Sequence, residues 1–142
     1  ISMVDVLTIN DEEARQLSGE YSLLTAAQKI QEMGPKYLII KKGEHGALLF
    51  HGKEMFYAPA LLLPQVMDPT GAGDTFAGGF MGYLASTDDI SFENMKRALL
   101  YGSALASFAV QKFGTDKIKE VSAEDLTERI NEFKSLMSFT DK

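Results

Sequence analysis

The sequence has no cysteine and no tryptophan, and it has only two histidines among 142 residues. Without cysteine, a disulfide framework, a thiolate nucleophile and a zinc–thiolate site are excluded, and the composition is compatible with a reducing cytoplasm. The histidines, His45 and His51, fall in predicted turns, where we expect them to be solvated, and two lone histidines do not support a metal pair. We therefore expect a cytoplasmic protein whose chemistry involves neither cysteine nor histidine.

Positive charge and long hydrophobic runs are also scarce. Fourteen basic residues face twenty acidic ones, which gives a net charge of −6, and the basic residues form no run that could follow a phosphate backbone. The longest apolar stretch, at about 98–110, is interrupted by glycine and serine and is too short to cross a bilayer as a helix. We therefore expect neither nucleic acid nor a membrane as a partner.

The apolar residues that are present, 45% of the chain, suffice for the core of one domain. Strand and helix patterns alternate in the first half, which favours an α/β fold with a mixed sheet. The predicted elements there are a strand over 4–9, a helix capped by Asn10, a helix over 23–33, a strand over 37–40 and a hairpin of 47–50 with 54–57. The buried face predicted for the helix over 23–33 consists of Leu23, Leu24, Ala27 and Ile30, with Met33 as an optional last member, before Gly34 and Pro35 end the helix.

Three helices are predicted in the second half. The first follows a glycine-rich turn and presents Phe76, Phe80, Tyr83 and Leu84 on its apolar face. The second runs over 92–113, with small Gly102 and Ser103 where two backbones can pack closely. The third starts with the capping box of Ser122 and Asp125, and its buried stripe is Leu126, Ile130, Phe133 and either Leu136 or Met137.

Chemistry is concentrated in the segment Asp68-Pro-Thr-Gly-Ala-Gly-Asp74, between a predicted strand and a predicted helix. Gly71 and Gly73 allow successive backbone N–H groups to turn inward at a helix N-terminus and bind an anion. Such fixed dipoles stabilise a phosphoryl group during transfer, and Asp74 beside it can accept the proton of an attacking hydroxyl. The spacing supports equally well a tight turn in which Asp74 only caps the helix.

Two common phosphate motifs do not fit the sequence. The segment from Gly71 to Phe76 lacks the third glycine of the dinucleotide-binding pattern, and Gly52-Lys53-Glu54 lacks the hydroxyl residue of a P-loop. Neither a dinucleotide fold nor a P-loop enzyme is therefore indicated.

The segment from Asp68 to Phe80 resembles the C-terminal signature of the PfkB, or ribokinase-like, family of sugar and nucleoside kinases. The resemblance implies part of a three-layer αβα fold, with a mixed, mostly parallel sheet and helices on both faces. It implies transfer of the γ-phosphate of ATP to an alcohol of a small carbohydrate-like substrate. By the same resemblance, Gly71, Ala72 and Gly73 form the anion hole, and Asp74 is the base.

Metal ions and the nucleotide are also implied by resemblance. Asn10 and Glu13 match an Asn-x-x-Glu motif linked to Mg²⁺, although the same residues also satisfy a capping box. Asp68 and Thr70 match positions of a monovalent-cation site suited to K⁺. The residues that match nucleotide-bordering segments are Lys41, Gly43, Gly46, Ser103, Phe113 and Gly114. On its own, the segment 41–46 is an ordinary turn, and Ser103 stands where some members carry asparagine.

Members of this family are substantially longer, and their N-terminal half supplies the sugar-binding residues and a lid. We therefore expect residues 1–142 to be the C-terminal part of a kinase domain, with one sheet edge exposed. The expected partners are ATP or ADP and a small sugar or nucleoside, and the full-length protein is a candidate homodimer. The isolated chain is expected to be inactive, and the alternative function is a non-catalytic nucleotide-binding module.

Overall fold

The computed structural model describes residues 6–42, 45–59, 72–111 and 122–138, in two compact units that divide after residue 60. The first unit contains β1 (Val6–Asn10), α1 (Asp11–Ser18), α2 (Leu23–Glu32), β2 (Tyr37–Lys41), β3 (Ala47–His51) and β4 (Glu54–Ala58). The second contains α3 (Ala72–Thr87), α4 (Phe92–Gln111) and α5 (Ala123–Met137). Across these four ranges, no helix is both long and apolar enough to cross a membrane.

The first unit is built on a four-stranded mixed sheet in the order β1-β2-β3-β4. β1 runs parallel to β2, whereas β2–β3 and β3–β4 are antiparallel. The predicted hairpin is confirmed: Gly52 and Lys53 join β3 to β4, and Gly52 has a left-handed φ of 60°. Glycine takes this conformation without steric cost, so the two-residue turn sets the register of the hairpin.

The helices α1 and α2 cover one face of this sheet. Their buried residues pack with Leu38, Ile40 and Phe50, and the helical members of that cluster are Ala14, Ala26, Ala27 and Ile30. Ile39 and Leu49, which alternate to the opposite face, are also fully buried. Burial on both faces is what a central strand of a layered α/β fold requires.

The buried face of α2 differs from the sequence prediction. Leu24 is 56% exposed and Met33 is 38% exposed, whereas Ala26 is completely buried beside the predicted Ala27 and Ile30. Successive helical residues differ by about 100°, so burial of Ala26 turns Leu24 away from the sheet. The helix α2 therefore packs on the sheet through the two small alanines and not through the larger leucine.

His51 also differs from its predicted setting. It is the last residue of β3 and is half-buried, whereas His45 is exposed as expected. The His51 ring stacks on Tyr37 at 4.4 Å between centroids, and its Nδ1 lies 2.8 Å from the carbonyl oxygen of Lys36. The stacking on Tyr37, in β2, covers the His51 ring. The sequence pattern around His51 does not reveal this contact, because Tyr37 belongs to another strand.

In the second unit, α3 and α4 approach closely at two glycines. A Cβ atom on Gly102 would lie 2.7 Å from the carbonyl oxygen of Phe76, and one on Gly79 would lie 2.7 Å from Cδ1 of Leu105. Phe76 and Phe80 are buried beside this crossing, as predicted. The expectation that backbones pack closely at Gly102 is therefore confirmed.

The turn between α3 and α4 is held by polar side chains. Asn94 is buried, and its Nδ2 donates to Oγ1 of Thr87 and to the carbonyl oxygen of Asp89, both at 2.7 Å. The backbone N–H of Ser91 donates to Oδ1 of Asp89 at 2.9 Å. Hydrogen bonds from Ser91 lower the pKa of the Asp89 carboxyl below its ordinary value.

The last helix, α5, starts with the predicted capping box of Ser122 and Asp125. Phe133 is buried, and of the two residues predicted for the end of the stripe, Leu136 is 55% exposed whereas Met137 is half-buried. The sequence did not predict the burial of Arg129 in this helix. Its Nη1 donates to Oγ of Ser107 at 2.7 Å, and its guanidinium carbon lies 4.0 Å from the centroid of the Phe108 ring.

Candidate functional site

The first group of candidate site residues lies where β1 becomes α1. Asn10 ends the strand and caps the helix: its Oδ1 accepts from the N–H of Glu13 at 2.7 Å. In return, Oε1 of Glu13 accepts from the N–H of Asn10 at 2.9 Å. The predicted capping box is confirmed, and it orients the Glu13 carboxylate toward the start of the helix.

Lys41 ends β2 directly beside Asn10. The two residues are register partners across the parallel pair of β1 and β2. In open α/β sheets, ligands bind outside the carboxyl ends of the strands, and the positive end of a helix dipole favours anions there. The structure thus places Lys41 next to Asn10 and Glu13, although in the sequence these residues belong to two separate motifs.

The turn after Lys41 has a defined hydrogen-bond pattern at its described ends. The N–H of Lys42 donates to the carbonyl oxygen of Gly46 at 2.7 Å, and the N–H of His45 donates to that of Lys42 at 3.0 Å. Gly46 has a φ of 97°, which side-chain-bearing residues rarely adopt. Its conformation is therefore specific to glycine, while Gly43 lies outside the described residues.

A residue that the sequence did not predict also contacts this turn. The hydroxyl of Tyr57, on β4, donates to the carbonyl oxygen of His45 at 2.6 Å. The alternation of residues along a strand cannot reveal this contact, because the contact joins β4 to a turn that lies outside the hairpin. The hairpin register, which pairs Tyr57 with Leu48, is the only signal that could have suggested it.

The glycine-rich segment leads into the second unit. The helix α3 begins at Ala72, so Gly73 and Asp74 belong to its first turn. Asp74 is the third helical residue, which is the position that Glu13 and Asp125 hold in their capping boxes, so both the capping role and the catalytic role of Asp74 stay predictions. Asp68, Thr70 and Gly71 lie outside the described residues.

Ser103 is half-buried on α4, next to the glycine that contacts α3. Because Gly102 approaches the carbonyl of Phe76, this part of α4 lies beside the first turns of α3. The structure therefore places Ser103 in the neighbourhood of the helix start that carries Asp74. Phe113 and Gly114 lie outside the described residues.

In the part of the chain that the structure describes, no three histidine, aspartate or glutamate side chains converge as a metal site. This is compatible with Mg²⁺, which usually takes one or two carboxylates and completes its shell with water and substrate phosphates. Glu13 fits that requirement, because it is exposed and has a second carboxylate oxygen, Oε2, besides the one used in the cap.

Comparison with known proteins identifies a family. The model of the pfkB family carbohydrate kinases matches residues 1–121. The ribokinase of Lactococcus lactis subsp. lactis is 32% identical over 128 residues, which cover 87% of this chain and 39% of that protein.

Solved structures give the same result. The aminoimidazole riboside kinase of Salmonella enterica, complexed with aminoimidazole riboside and an ATP analogue, superposes with a TM-score of 0.78 at 26% identity, covering 91% of this chain and 43% of that one. The ribokinase of Arabidopsis thaliana, complexed with ribose and ATP, gives 0.72 at 26% identity, covering 91% and 41%. The chain thus spans less than half the length of these relatives. The ribokinase-like neighbours confirm the expected fold class, a partial α/β fold with a mixed sheet. The expectation that the sheet is mostly parallel is wrong for the described strands, because one of their three pairings is parallel and two are antiparallel.

Proposed function

Because the chain belongs to the pfkB family of carbohydrate kinases, we propose that it carries the catalytic part of an ATP-dependent phosphotransferase. The reaction transfers the γ-phosphate of ATP to an alcohol of a small sugar or nucleoside. The relatives support this class of acceptor, since the Salmonella enzyme was crystallised with a riboside and the Arabidopsis enzyme with ribose. We include a cytoplasmic location and a homodimer of the full-length protein in the proposal.

The observation that carries the proposal is the start of α3. The helix begins at Ala72, so the sequence Gly71-Ala-Gly-Asp74 spans its N-terminal boundary. The first N–H groups of a helix have no partner within the helix, and together with the helix dipole they attract an anion. In the proposed reaction these groups stabilise the charge on the phosphoryl group while it moves.

Asp74 is proposed to act as the base. At the first turn of α3, the helix dipole favours the ionised carboxylate, which can accept the proton of the acceptor hydroxyl. A weak base is sufficient, because the phosphoryl transition state is usually loose and the hydroxyl loses its proton late. Positioning of the hydroxyl in line with the phosphate then contributes more than basicity.

The remaining residues are proposed to hold the nucleotide and its cations. The proposed nucleotide-binding residues are Lys41, Gly43, Gly46, Ser103, Phe113 and Gly114. Glu13, supported by Asn10, is proposed to bind Mg²⁺ at the carboxyl end of β1, where Lys41 supplies a positive charge for phosphate. Bound Mg²⁺ neutralises phosphate charge. Asp68 and Thr70 are proposed to contribute oxygen ligands to a K⁺ ion.

A second candidate function is a nucleotide-binding module without acceptor chemistry. The observation that favours it is that the chain spans only 43% of the Salmonella kinase and 39% of the Lactococcus ribokinase. An acceptor hydroxyl must be held in line for transfer, and a surface that binds ATP alone does not do this. Turnover of any sugar or nucleoside by this polypeptide alone would exclude the module.

The proposed function is tested with Asp74→Asn in the full-length enzyme of which this chain is proposed to be a part. We expect kcat to fall by about a thousandfold, because a general base contributes on that order. ATP affinity, measured by calorimetry, should change little. Retained turnover in the variant would overturn the role of Asp74, and failure of MgATP to bind at all would overturn the kinase assignment.

A further inference from the structure

The carbonyl group of His45 is tied to a neighbouring strand by a side chain. The hydroxyl of Tyr57 donates to this carbonyl at 2.6 Å, and the two residues are twelve positions apart. Tyr57 is the residue before the last of β4, where it pairs with Leu48 in the register of the hairpin. The donor of this hydrogen bond therefore belongs to a paired strand, whereas the acceptor belongs to the turn that follows β2.

Two backbone hydrogen bonds within this turn are local. Lys42 and Gly46 are joined by one backbone hydrogen bond at 2.7 Å, and His45 and Lys42 by another at 3.0 Å. Local bonds fix the shape of a turn but leave its direction relative to the sheet less constrained. The Tyr57 bond adds a constraint from β4, and it acts on the residue immediately before Gly46.

We infer that Tyr57 is a positioning residue for nucleotide binding: its hydroxyl holds the His45–Gly46 end of the turn against the hairpin, beside Lys41. The inference rests on the proposed nucleotide role of Lys41 and Gly46. Gly46 takes a left-handed φ of 97° and pairs with Lys42, so displacement of His45 changes the backbone geometry next to Lys41. Tyr57 acts through this turn and not on the reacting atoms.

The size of the effect follows from the population of the ordered turn. A hydrogen bond of this kind stabilises a folded arrangement by about 1 kcal/mol, so its loss lowers the binding-competent fraction by up to about fivefold. The dissociation constant for a nucleotide rises by the same factor, because apparent affinity is proportional to the competent fraction. Tyr57 is 47% exposed, so removal of the hydroxyl leaves no cavity in the core.

The experiment compares Tyr57→Phe with the unchanged chain in a titration with MgADP, followed by amide NMR. Tyr21→Phe is the matched control, because Tyr21 is 83% exposed. The face of its ring lies 4.7 Å from the Arg15 guanidinium carbon, and phenylalanine retains this contact. We expect a three- to fivefold weaker affinity for Tyr57→Phe, on the order set by one hydrogen bond, and no change for Tyr21→Phe.

Hydrogen exchange supplies the readout that a general loss of stability would not give. In Tyr57→Phe, the amides of Lys42 and His45 should exchange faster, while the amides of Ile39 and Leu49 in the strands keep their protection. Uniformly faster exchange would show that the hydroxyl stabilises the whole unit, and this would overturn the positioning role.

The titration separates the inference from the proposed function. If the unchanged chain binds MgADP and Tyr57→Phe binds equally well, the inference is overturned and the proposed function stands. If the unchanged chain does not bind MgADP at any tested concentration, the nucleotide site is refuted and the inference falls with it. Weaker binding together with local loss of protection supports both.

Discussion

Asn10 and Lys41 are register partners at the carboxyl ends of the parallel strands β1 and β2. Two polar residues therefore lie side by side at the same end of the sheet. Asn10 caps α1 together with Glu13, and Lys41 ends the neighbouring strand with its ammonium group. The carboxylate suits a hard divalent cation, whereas the ammonium suits phosphate oxygens. This pairing of opposite charges fits a nucleotide that carries its own Mg²⁺.

Glu13→Gln should separate the metal role of this residue from its capping role. Glutamine also completes a capping box, so the free energy of unfolding should fall only by the loss of one charge near a helix N-terminus, about 0.5 kcal/mol. The Mg²⁺ concentration needed for half-maximal nucleotide binding should rise severalfold, because a carboxylate ligand is lost. Calorimetric titrations with ADP at fixed Mg²⁺ concentrations measure this shift.

The control for Glu13→Gln is Asp125→Asn in the second capping box, at the start of α5. This variant also removes a charge from a helix N-terminus, but it is not among the proposed site residues. Its Mg²⁺ dependence should equal that of the unchanged chain. Equal Mg²⁺ dependence in all three proteins would show that Asn10 and Glu13 serve only as a cap.

Gly102→Ala should destabilise the crossing of α3 and α4. The new Cβ atom would lie 2.7 Å from the carbonyl oxygen of Phe76, and a backbone atom cannot move aside without shifting the helix. The expected loss is about 2 kcal/mol, typical of overpacking. Gly82→Ala is the control: nothing lies within 4 Å of its Cβ position, so helix propensity should stabilise it by up to about 1 kcal/mol. Urea unfolding measures both, and a neutral Gly102→Ala would contradict the close approach.

Arg129→Met should destabilise the packing of α5 on α4. The variant keeps an apolar stem but loses the hydrogen bond to Ser107 and the stacking on Phe108, and we expect a cost of about 2 kcal/mol. Ser107→Ala tests the same bond from the other side. In the double variant the two costs should not add, with a coupling energy of about 1 kcal/mol in thermal unfolding. Lys134→Met is the control, because Lys134 is exposed on the same helix. This variant should change stability by less than about 0.5 kcal/mol.

Asp89→Asn should remove the contribution of Asp89 to the acid dependence of stability. Hydrogen bonds from Ser91 lower the pKa of Asp89 in the folded chain below its ordinary value of 3.8. A group whose folded pKa is depressed contributes stability above the unfolded pKa and loses it as pH falls through the folded pKa. Denaturation midpoints should therefore differ between the two proteins at pH 7, and the difference should shrink as the pH falls below 3.8 and through the folded pKa of Asp89. A difference that does not change with pH would contradict this assignment.

Several features of this protein could be predicted from the sequence because they depend on residues close together in the chain. Both capping boxes join residues three positions apart, and the hairpin turns on Gly52. The start of a helix next to Asp74 likewise follows from local glycines. The family was identified from the segment 68–80, and the family model confirms it. The individual roles proposed for the site residues stay predictions.

The tertiary structure decided which of these local elements meet and through which faces. Amphipathic spacing could not choose between Leu24 and Ala26, because that choice depends on how closely α2 approaches the sheet. Nor could it show that Arg129 binds Ser107, 22 residues away, or that Tyr57 reaches His45. Local propensity and hydrogen bonds within one turn are encoded in short segments, whereas these contacts exist only after distant segments have packed and their register is set.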